Sequence, residues 1–359
     1  MNERERLVRH IPGDREQLLS PELRKISPVS VLYGGISSER PGSIESSITV
    51  ANLLTVAGYT SVRRIDVTPD SATELMNRKA VGVAFLTMHG GFGENGTLQG
   101  FLETLDIPYT GSGVAASAIS ADKTLFNKFV RSLGYNVAAQ TSATSVEELS
   151  EMDLSYPLVL KPAAQGCSYG VFYIRDRDEL LTRAEFTQQF GPMVAEDYVS
   201  GRELTVGLYE DVDSGVPVVL PVIENILARE ILDYETKYPG GEHLYRAVIP
   251  AELDLVVQQQ IIDTCSDIFQ KLNCRGYVRM DLRLTSDGSV YIIENNTSPG
   301  MLSLEESDFP KMLLAAGIDP SEFVDRMVLA GIVNHRRDKE RNANVPSERE
   351  TVEYLGLTS

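Results

Sequence analysis

The stretch 276–296, GYVRMDLRLTSDGSVYIIENN, decides the fold of this 359-residue chain. Two runs rich in apolar residues, 276–284 and 290–294, flank Ser-Asp-Gly at 286–288. Short apolar runs on either side of such a turn signal are typical of a β-hairpin. The sequence therefore predicts a pair of antiparallel strands in its C-terminal third.

Polar side chains in the hairpin favour a metal site. Arg279 and Asp281 are two residues apart on one strand, so they lie on the same face, and the same holds for Glu294 and Asn296 on the partner strand. Three oxygen donors would thus lie near one guanidinium, and oxygen ligands beside phosphates suit Mg²⁺. The alternative is an exposed face of compensating charges. The apolar run 291–293 argues against it, because carboxylates at the end of a buried run need partners.

Two lysines could supply phosphate contacts. Lys161 ends a predicted strand, 157–162, and precedes the glycine-rich stretch 165–170, whose backbone amides could surround a polyphosphate. Lys123 begins a predicted helix, where the helix N-terminus also favours an anion. For either lysine alone, a solvated surface position is the alternative. Neither belongs to a GxxxxGK[ST] motif, which excludes a P-loop enzyme.

The rest of the chain predicts an α/β segment followed by an α+β segment. Apolar runs at 29–33, 61–67 and 82–89 alternate with helical patterns such as 43–57, which favours a parallel sheet. From about residue 122 short strands predict antiparallel pairing, and a long helix is predicted over 253–272. The polar residues 1–27 are interpreted as an extension with one short helix, and the charged tail after 335 is predicted to fray.

Composition limits the classes of function. The formal charge is 33 basic minus 51 acidic residues, or −18, which gives no footprint for nucleic acid or an anionic membrane. Three cysteines are too few for a disulfide framework and fit a reducing cytoplasm. No run approaches the roughly 18 apolar residues of a membrane span.

Taken in order, these blocks resemble the D-alanine-D-alanine ligase family of the ATP-grasp superfamily. The similarity runs in register from about residue 28 to residue 335. The matching segments are Tyr33-Gly34-Gly35, Ser37-Ser38-Glu39-Arg40, Met88-His89-Gly90, Gly96-Thr97-Leu98-Gln99-Gly100, Pro108-Tyr109-Thr110-Gly111-Ser112-Gly113, Asp122-Lys123, Val159-Leu160-Lys161-Pro162, Asp233-Tyr234-Glu235-Thr236-Lys237-Tyr238 and Glu294-Asn295-Asn296-Thr297-Ser298-Pro299-Gly300-Met301. So many motifs in one order are highly specific for the family.

The resemblance implies a mixed α/β and α+β fold of the ATP-grasp class, with ATP held between its central and C-terminal domains. It divides the chain into a polar extension 1–27, an N-terminal α/β domain with a parallel sheet 28–121, a central ATP-grasp subdomain 122–208, a C-terminal catalytic domain 209–334 and a charged tail 335–359. It also implies a cytoplasmic homodimer whose partners are amino acid substrates, with no nucleic acid or membrane.

The resemblance also implies roles for single residues. ATP would be bound by Lys123, Lys161 and Lys237 at the phosphates, by Glu196 and the backbone near Val199 at adenine, and by Glu203 at the ribose. Two Mg²⁺ ions, which Mn²⁺ could replace, would be bound by Asp281, Glu294 and Asn296. Catalytic roles would fall to Glu39, Cys167, Tyr238, Arg279 and Gly300. Substrate contacts would come from Gly42, Ser43, His89, Glu305 and Ser307.

The implied reaction phosphorylates one amino acid's carboxylate with ATP and then joins it to the amine of a second. Glu39 would bind the first substrate's ammonium, and Arg279 with the Gly300 amide would stabilise the oxyanion. Tyr238 would lie on a loop that closes over the site and excludes water.

Three departures from the family fall on the substrate side. Gly42 stands where the family has Val against the first D-alanine, which would leave extra room. Cys167 replaces a Ser that normally hydrogen-bonds the Tyr at the Tyr238 position, and a thiol is a weaker donor. Glu305 lies in a longer, more acidic segment, 302–310, where it would repel a substrate carboxylate if it faced the pocket.

Three functions therefore stay open. One is D-alanine-D-alanine formation for cell-wall synthesis. Another is a specialised ligase that joins an amino acid to a bulkier substrate, as in mycosporine-like amino acid assembly. The third, from another class, is a non-catalytic nucleotide-binding protein.

Overall fold

A computed structural model of the chain describes residues 20–166, 168–231, 244–304 and 307–343. Most of the predicted extension, the end of the tail and the segment 232–243 lie outside these ranges. Within them, no helix combines the length and apolar composition that crossing a bilayer requires.

The described part of the chain contains both helices and strands. The helices are α1 Pro21–Ile26, α2 Arg40–Val56, α3 Arg78–Val81, α4 Thr97–Thr104, α5 Val114–Ala121, α6 Lys123–Ser132, α7 Val146–Ser150, α8 Arg177–Thr187, α9 Leu255–Lys271, α10 Asp308–Ala315 and α11 Pro320–Ala343, with 3₁₀ turns at Ala72–Met76, Gly91–Gly93 and Gln188–Phe190. The strands are β1 Val29–Gly34, β2 Val62–Val67, β3 Val83–Leu86, β4 Gln140–Ala143, β5 Leu158–Pro162, β6 Phe172–Ile174, β7 Met193–Asp197, β8 Arg202–Glu210, β9 Pro217–Val219, β10 Ile223–Leu227, β11 Tyr245–Val248, β12 Tyr277–Leu284 and β13 Val290–Asn296.

The first three strands form the parallel sheet that the sequence predicts. Their order is β2-β1-β3, with both pairings parallel. β1 is buried almost throughout, as expected for a central parallel strand covered on both faces. Because parallel strands end at the same edge of a sheet, Glu39 after β1 and His89 after β3 lie at one edge. Helix α2 begins three residues before the predicted 43; Pro41 lies in its first turn, where a missing N–H costs nothing.

The second sheet has four antiparallel strands in the order β4-β7-β5-β6. Buried side chains that include Leu160, Ile174, Leu180 and Met193 form its core. Lys161, near the end of β5, is opposite Val194 of β7. The sheet therefore fixes the backbone of this lysine on a rigid strand rather than on a loop.

The third sheet contains the predicted hairpin. Its order is β11-β10-β8-β12-β13, and β9 pairs with β8. Helix α9 packs Ile261, Cys265 and Ile268 into the core beneath it. The chain changes sheets at the turn 200–201, so β8 pairs with β12 and not with β7.

The prediction that the tail frays from 335 is wrong up to residue 343, because α11 continues to Ala343. Charged residues of this part of the helix pair with partners in the folded body. Arg275 binds Asp338 at 2.5 and 2.7 Å, and Arg337 lies 3.3 Å from Glu210. Charge alone therefore did not indicate solvent exposure here.

The end of the N-terminal extension is also anchored. Arg24 on α1 is 4% exposed, and its Nη2 donates to Asp325 of α11 at 2.8 Å. The Tyr59 hydroxyl donates to the same carboxylate at 2.7 Å. These contacts tie the extension to both ends of the chain's folded body.

Candidate active site

The polar face of the β12-β13 hairpin forms one wall of the candidate site. The register pairs Asp281 with Glu294 and Arg279 with Asn296, so all four side chains lie on one face. The pairing shifts between Asp281 and Leu282, where Ile293 is the extra residue of a bulge. Bulges near binding sites commonly redirect side chains. Of the apolar run 291–293, only Ile292 is fully buried.

Arg279 is held by a two-pronged ion pair. Its Nε and Nη2 donate to the two oxygens of Asp281 at 3.0 and 2.9 Å, and Thr205 donates to Asp281 Oδ1 at 3.0 Å. Burial alone would lower the pKa of the Arg279 guanidinium, but the Asp281 charge and hydrogen bonds raise it far above its ordinary value. The site thus presents a permanent positive charge in a fixed orientation.

Two lysines face this hairpin from neighbouring elements. Lys161 Nζ lies 2.8 Å from Glu196 Oε2, and both side chains are buried. Lys123 Nζ donates to the Gln165 carbonyl at 2.6 Å and lies 3.9 Å from Glu294. Burial lowers the pKa of the Lys123 ammonium, and Glu294 opposes that shift.

Local structure explains the position of Lys123. The Asp122 carboxylate caps α6 by accepting from the N–H groups of Thr124 and Leu125 at 2.9 and 3.0 Å. The Lys123 N–H donates to the Ala163 carbonyl just beyond β5 at 3.0 Å. The Asp-Lys pair is therefore a helix start that is fastened to the lysine-bearing strand.

These groups line one cleft between the four-stranded and six-stranded sheets, with a volume of about 810 Å³, its open mouth included. Residues that line it include Lys123, Lys161, Gln165, Gly166, Glu196, Val199, Glu203, Asp281, Arg283 and Glu294. Arg283 binds Glu203 at 2.6 Å. The structure thus brings together seven residues that the resemblance assigns to nucleotide and metal, while Asn296 lies beside the cleft and donates to Glu294 at 3.4 Å.

The donors of the hairpin fit Mg²⁺ that is shared with a polyphosphate. Among the residues that the structure describes, no three His, Cys, Asp or Glu side chains form a self-sufficient metal site. The hairpin supplies two carboxylates and one amide, which are hard oxygen donors. Mg²⁺ at phosphate sites typically takes one or two carboxylates and completes its shell with phosphate and water.

Glu39 marks the second part of the site, where the glycine-rich stretch meets the N-terminal domain. A Cβ added to Gly166 would lie 2.5 Å from Glu39 Oε2, and one added to Gly90 would lie 2.3 Å from it. Gly90 also has φ of +67°, which L side chains rarely adopt. Both glycines are therefore required for backbone to approach this carboxylate so closely.

Two polar residues at this edge are missing from the sequence prediction. Glu94 accepts from the Gly90 N–H at 2.8 Å, and burial, with Glu39 nearby, raises the pKa of the Glu94 carboxyl to about 8. Ser46 lies 2.9 Å from His89 Nε2. The signal for Glu94 was its position between the matched segments 88–90 and 96–100, and Ser46 had none beyond its helical spacing from Glu39.

Leu302 occupies the room expected at Gly42. A Cβ added to Gly42 would lie 3.6 Å from Leu302 Cδ2 and 3.8 Å from the His89 ring. A Cβ added to Gly300 would lie only 2.7 Å from Leu302 Cδ1. One methyl group fits at position 42, and beyond it the Leu302 side chain fills the space between the two glycines.

The remaining substrate-side residues have structural contacts. Ser43 accepts from the Gly34 N–H at 2.8 Å, and Ser307 accepts from the Leu302 N–H at 2.9 Å. Both side chains are buried. The predicted residues Cys167, Lys237, Tyr238 and Glu305 lie outside the described residues.

Comparison with known proteins agrees with this geometry. The family model for the D-ala D-ala ligase C-terminus matches residues 129–329, and that for the N-terminus matches residues 60–112. A D-alanine–D-alanine ligase of Geotalea uraniireducens is 35% identical over 311 residues, covering 85% of this chain and 96% of that protein. One from Agrobacterium fabrum is 38% identical over 309 residues, covering 84% and 96%.

A solved structure gives the same answer for the fold. The D-alanine–D-alanine ligase of Bacillus anthracis complexed with ATP superposes with a TM-score of 0.71 at 29% identity, covering 87% of this chain and 99% of that one. The predicted ATP-grasp fold class, with a parallel N-terminal sheet followed by antiparallel sheets, is confirmed. The chain belongs to the D-alanine–D-alanine ligase family.

Proposed function

We propose that this protein is an ATP-dependent ligase that joins two molecules of D-alanine. The observation that carries the proposal is the single cleft in which Lys123, Lys161, Asp281 and Glu294 face one another beside Glu39 and Arg279. Phosphate-binding cations and metal-binding oxygens are thereby next to a group suited to an amino acid's ammonium. The family relationship supplies the identity of the reaction.

In the first step, a carboxylate oxygen of the first amino acid bonds to the γ-phosphorus of ATP, and ADP leaves. Lys123 and Lys161 hold the phosphates and oppose their negative charge, and Glu39 holds the substrate ammonium. Mg²⁺ at Asp281, Glu294 and Asn296 would neutralise charge on the transferring phosphoryl group. Holding the reacting atoms in contact supplies much of the rate enhancement in such transfers.

In the second step, the amine of the second amino acid bonds to the activated carbonyl carbon, loses a proton, and inorganic phosphate leaves. The carbonyl oxygen carries negative charge in between. Arg279 and the Gly300 N–H would stabilise that charge, and one well-placed donor of this kind is worth roughly 3 kcal/mol. Tyr238 and Lys237 would act from a segment that closes over the site.

The contact between Gly42 and Leu302 favours a small first substrate. A Cβ added at position 42 would already be in van der Waals contact with Leu302, so this part of the site does not favour the bulkier substrate of a specialised ligase. The proposal also includes a homodimer, as the family resemblance implies, and sedimentation of the purified protein tests this.

ADP release across D- and L-amino acids, singly and in pairs, tests the function. The proposal expects strong turnover with D-alanine alone and a dipeptide product. Turnover only with a larger first substrate would favour the specialised ligase. ATP binding without ADP release for any pair would favour a non-catalytic nucleotide-binding protein.

A further inference from the structure

Two buried side chains tie the 298–301 segment to helix α2. The two side chains are His89 and Ser46, and the His89 ring lies between the segment and the helix. Its Nδ1 is 2.9 Å from the Ser298 carbonyl oxygen, and its Nε2 is 2.9 Å from Ser46 Oγ. Ser46 Oγ in turn accepts from the Met301 N–H at 3.1 Å. Ser46 is fully buried and His89 is 8% exposed.

The partners fix the direction of each hydrogen bond. A carbonyl oxygen can only accept, so His89 Nδ1 carries the hydrogen that it donates to Ser298. The Ser46 hydroxyl uses a lone pair for Met301 and donates its own hydrogen to Nε2 of the neutral ring. Burial lowers the pKa of His89, which keeps the ring neutral; Glu39 opposes this shift and Arg279 adds to it. Every polar atom in this chain of hydrogen bonds is satisfied.

The same helix also positions Glu39. Glu39 occupies the N-cap position just before α2, with no side-chain capping hydrogen bond, and Ser46 follows seven residues later, about two helical turns along. The 298–301 segment contains Gly300, whose N–H is the proposed oxyanion donor. The distance between the ammonium-binding carboxylate and the oxyanion donor is therefore set by one rigid helix and the hydrogen bonds of Ser46 and His89.

We propose that Ser46 is a positioning residue for ligation, which through His89 and Met301 holds the Gly300 amide in register with Glu39. The inference rests on the proposed function and adds a residue to it. It also changes the interpretation of His89: both ring nitrogens are used within the protein, so the ring acts as a strut between two domains rather than as a donor to substrate.

Replacing Ser46 with alanine tests the inference. Because misplacement of a catalytic group by about 1 Å can cost about a hundredfold in rate, we expect Ser46→Ala to lower kcat about 10- to 100-fold. The KM for ATP should change less than about twofold, since the ATP cleft keeps its contacts. Ser46→Thr, which keeps the hydroxyl, should recover part of kcat.

Ser47→Ala is the matched control. Ser47 is the next residue on α2 and equally buried, but its hydroxyl bonds the Ile44 carbonyl and Arg64, away from the site. Both variants lose one buried hydroxyl and should show similar falls in melting temperature. Equal kcat values for Ser46→Ala and Ser47→Ala would overturn the inference.

Nitrogen NMR of ¹⁵N-histidine protein gives a readout that needs no turnover. The chain has four histidines, and we expect His89 to be the Nδ1–H tautomer whose Nε2 signal shifts in Ser46→Ala but not in Ser47→Ala. An unmoved Nε2 signal would overturn the inference even if wild-type ligation were strong. A wild-type protein that released no ADP would instead contradict the proposed function, while the spectra would still decide the hydrogen bonds.

Discussion

The nucleotide side and the substrate side of the cleft are built differently. On the nucleotide side, charged groups are already matched, as in the pairs Lys161–Glu196 and Arg279–Asp281. On the substrate side, neutral hydrogen bonds and close backbone approaches hold the geometry, as at Ser46–His89 and at Gly166 against Glu39. ATP must therefore compete with internal ion pairs, whereas the amino acids meet a shape that is set by glycine, serine and leucine.

The largest expected effect comes from Asp281→Asn, which changes a charged group on the nucleotide side of the cleft. The change removes a negative charge from the metal-binding oxygens and leaves the buried Arg279 with one acceptor oxygen instead of two. We expect turnover to fall by at least about 10²- to 10³-fold, the scale seen when one transition-state group is lost. ATP affinity, measured by calorimetry, should fall much less, since both lysines remain.

Asp287→Asn is the control, because Asp287 lies on the exposed turn of the same hairpin. It should leave turnover and ATP affinity unchanged. Unchanged turnover in Asp281→Asn would contradict the metal assignment and with it the contrast between the two sides.

The next prediction separates the contribution of Lys161 to its ion pair with Glu196 from its contribution to ATP binding. Lys161→Met should weaken ATP binding strongly and should destabilise the fold by about 3 to 5 kcal/mol, because it leaves the Glu196 charge buried without its lysine. The double variant Lys161→Met/Glu196→Gln should recover most of the stability but not the ATP affinity. Denaturant unfolding and calorimetry measure the two quantities separately.

Lys128→Met is the control for this series, since Lys128 is exposed on α6. It should change neither quantity. Recovery of ATP affinity in the double variant would mean that Glu196 only opposes ATP and that Lys161 contributes nothing to binding it.

The sequence predicted the nucleotide side of the cleft better than the substrate side. Period-two spacing placed Arg279, Asp281, Glu294 and Asn296 on one face, and the register bears this out. Local rules could do this because each pair lies within one strand. The closing of the cleft by Lys123 and Lys161 depended on the family resemblance.

Contacts between distant segments were beyond such rules. Ser46 and Met301 are 255 residues apart, and no spacing pattern joins them. Leu302 filling the space at Gly42 likewise depends on how α2 packs against the segment after β13. The tail prediction was wrong for a related reason: Asp338 finds Arg275 only in the folded chain.

A smaller effect is expected from changing the shape of the substrate side at Gly42. Gly42→Ala adds one methyl at ordinary contact distance from Leu302, so kcat/KM for D-alanine should change only a few-fold. Gly42→Val should collide with Leu302 and lower kcat/KM by about 10- to 200-fold, which is the change in kcat/KM that one methylene-sized group typically causes in a hydrophobic pocket. Gly42→Val/Leu302→Ala should recover activity.

Steady-state kinetics with D-alanine and with larger D-amino acids measures the series. If Gly42→Val gained activity on D-alanine, the wild-type space would be larger than the Leu302 contact allows. A preference of the wild-type protein for a bulky first substrate would also contradict the inference that Leu302 limits the space at Gly42.

The smallest expected effect is a pH dependence of stability that comes from His89. Burial lowers the pKa of the folded His89 below its ordinary value near 6.5. The unfolded chain therefore binds a proton more readily, so this contribution to stability is fully present above about pH 6.5 and is lost as pH falls toward the folded pKa. Each unit of difference between the two pKa values is worth about 1.4 kcal/mol. Thermal melts at pH 7.5 and 5.5 should show a larger drop for the wild type than for His89→Gln, in which the other three histidines still titrate; equal drops would mean that the ring accepts a proton without breaking its bond to Ser46.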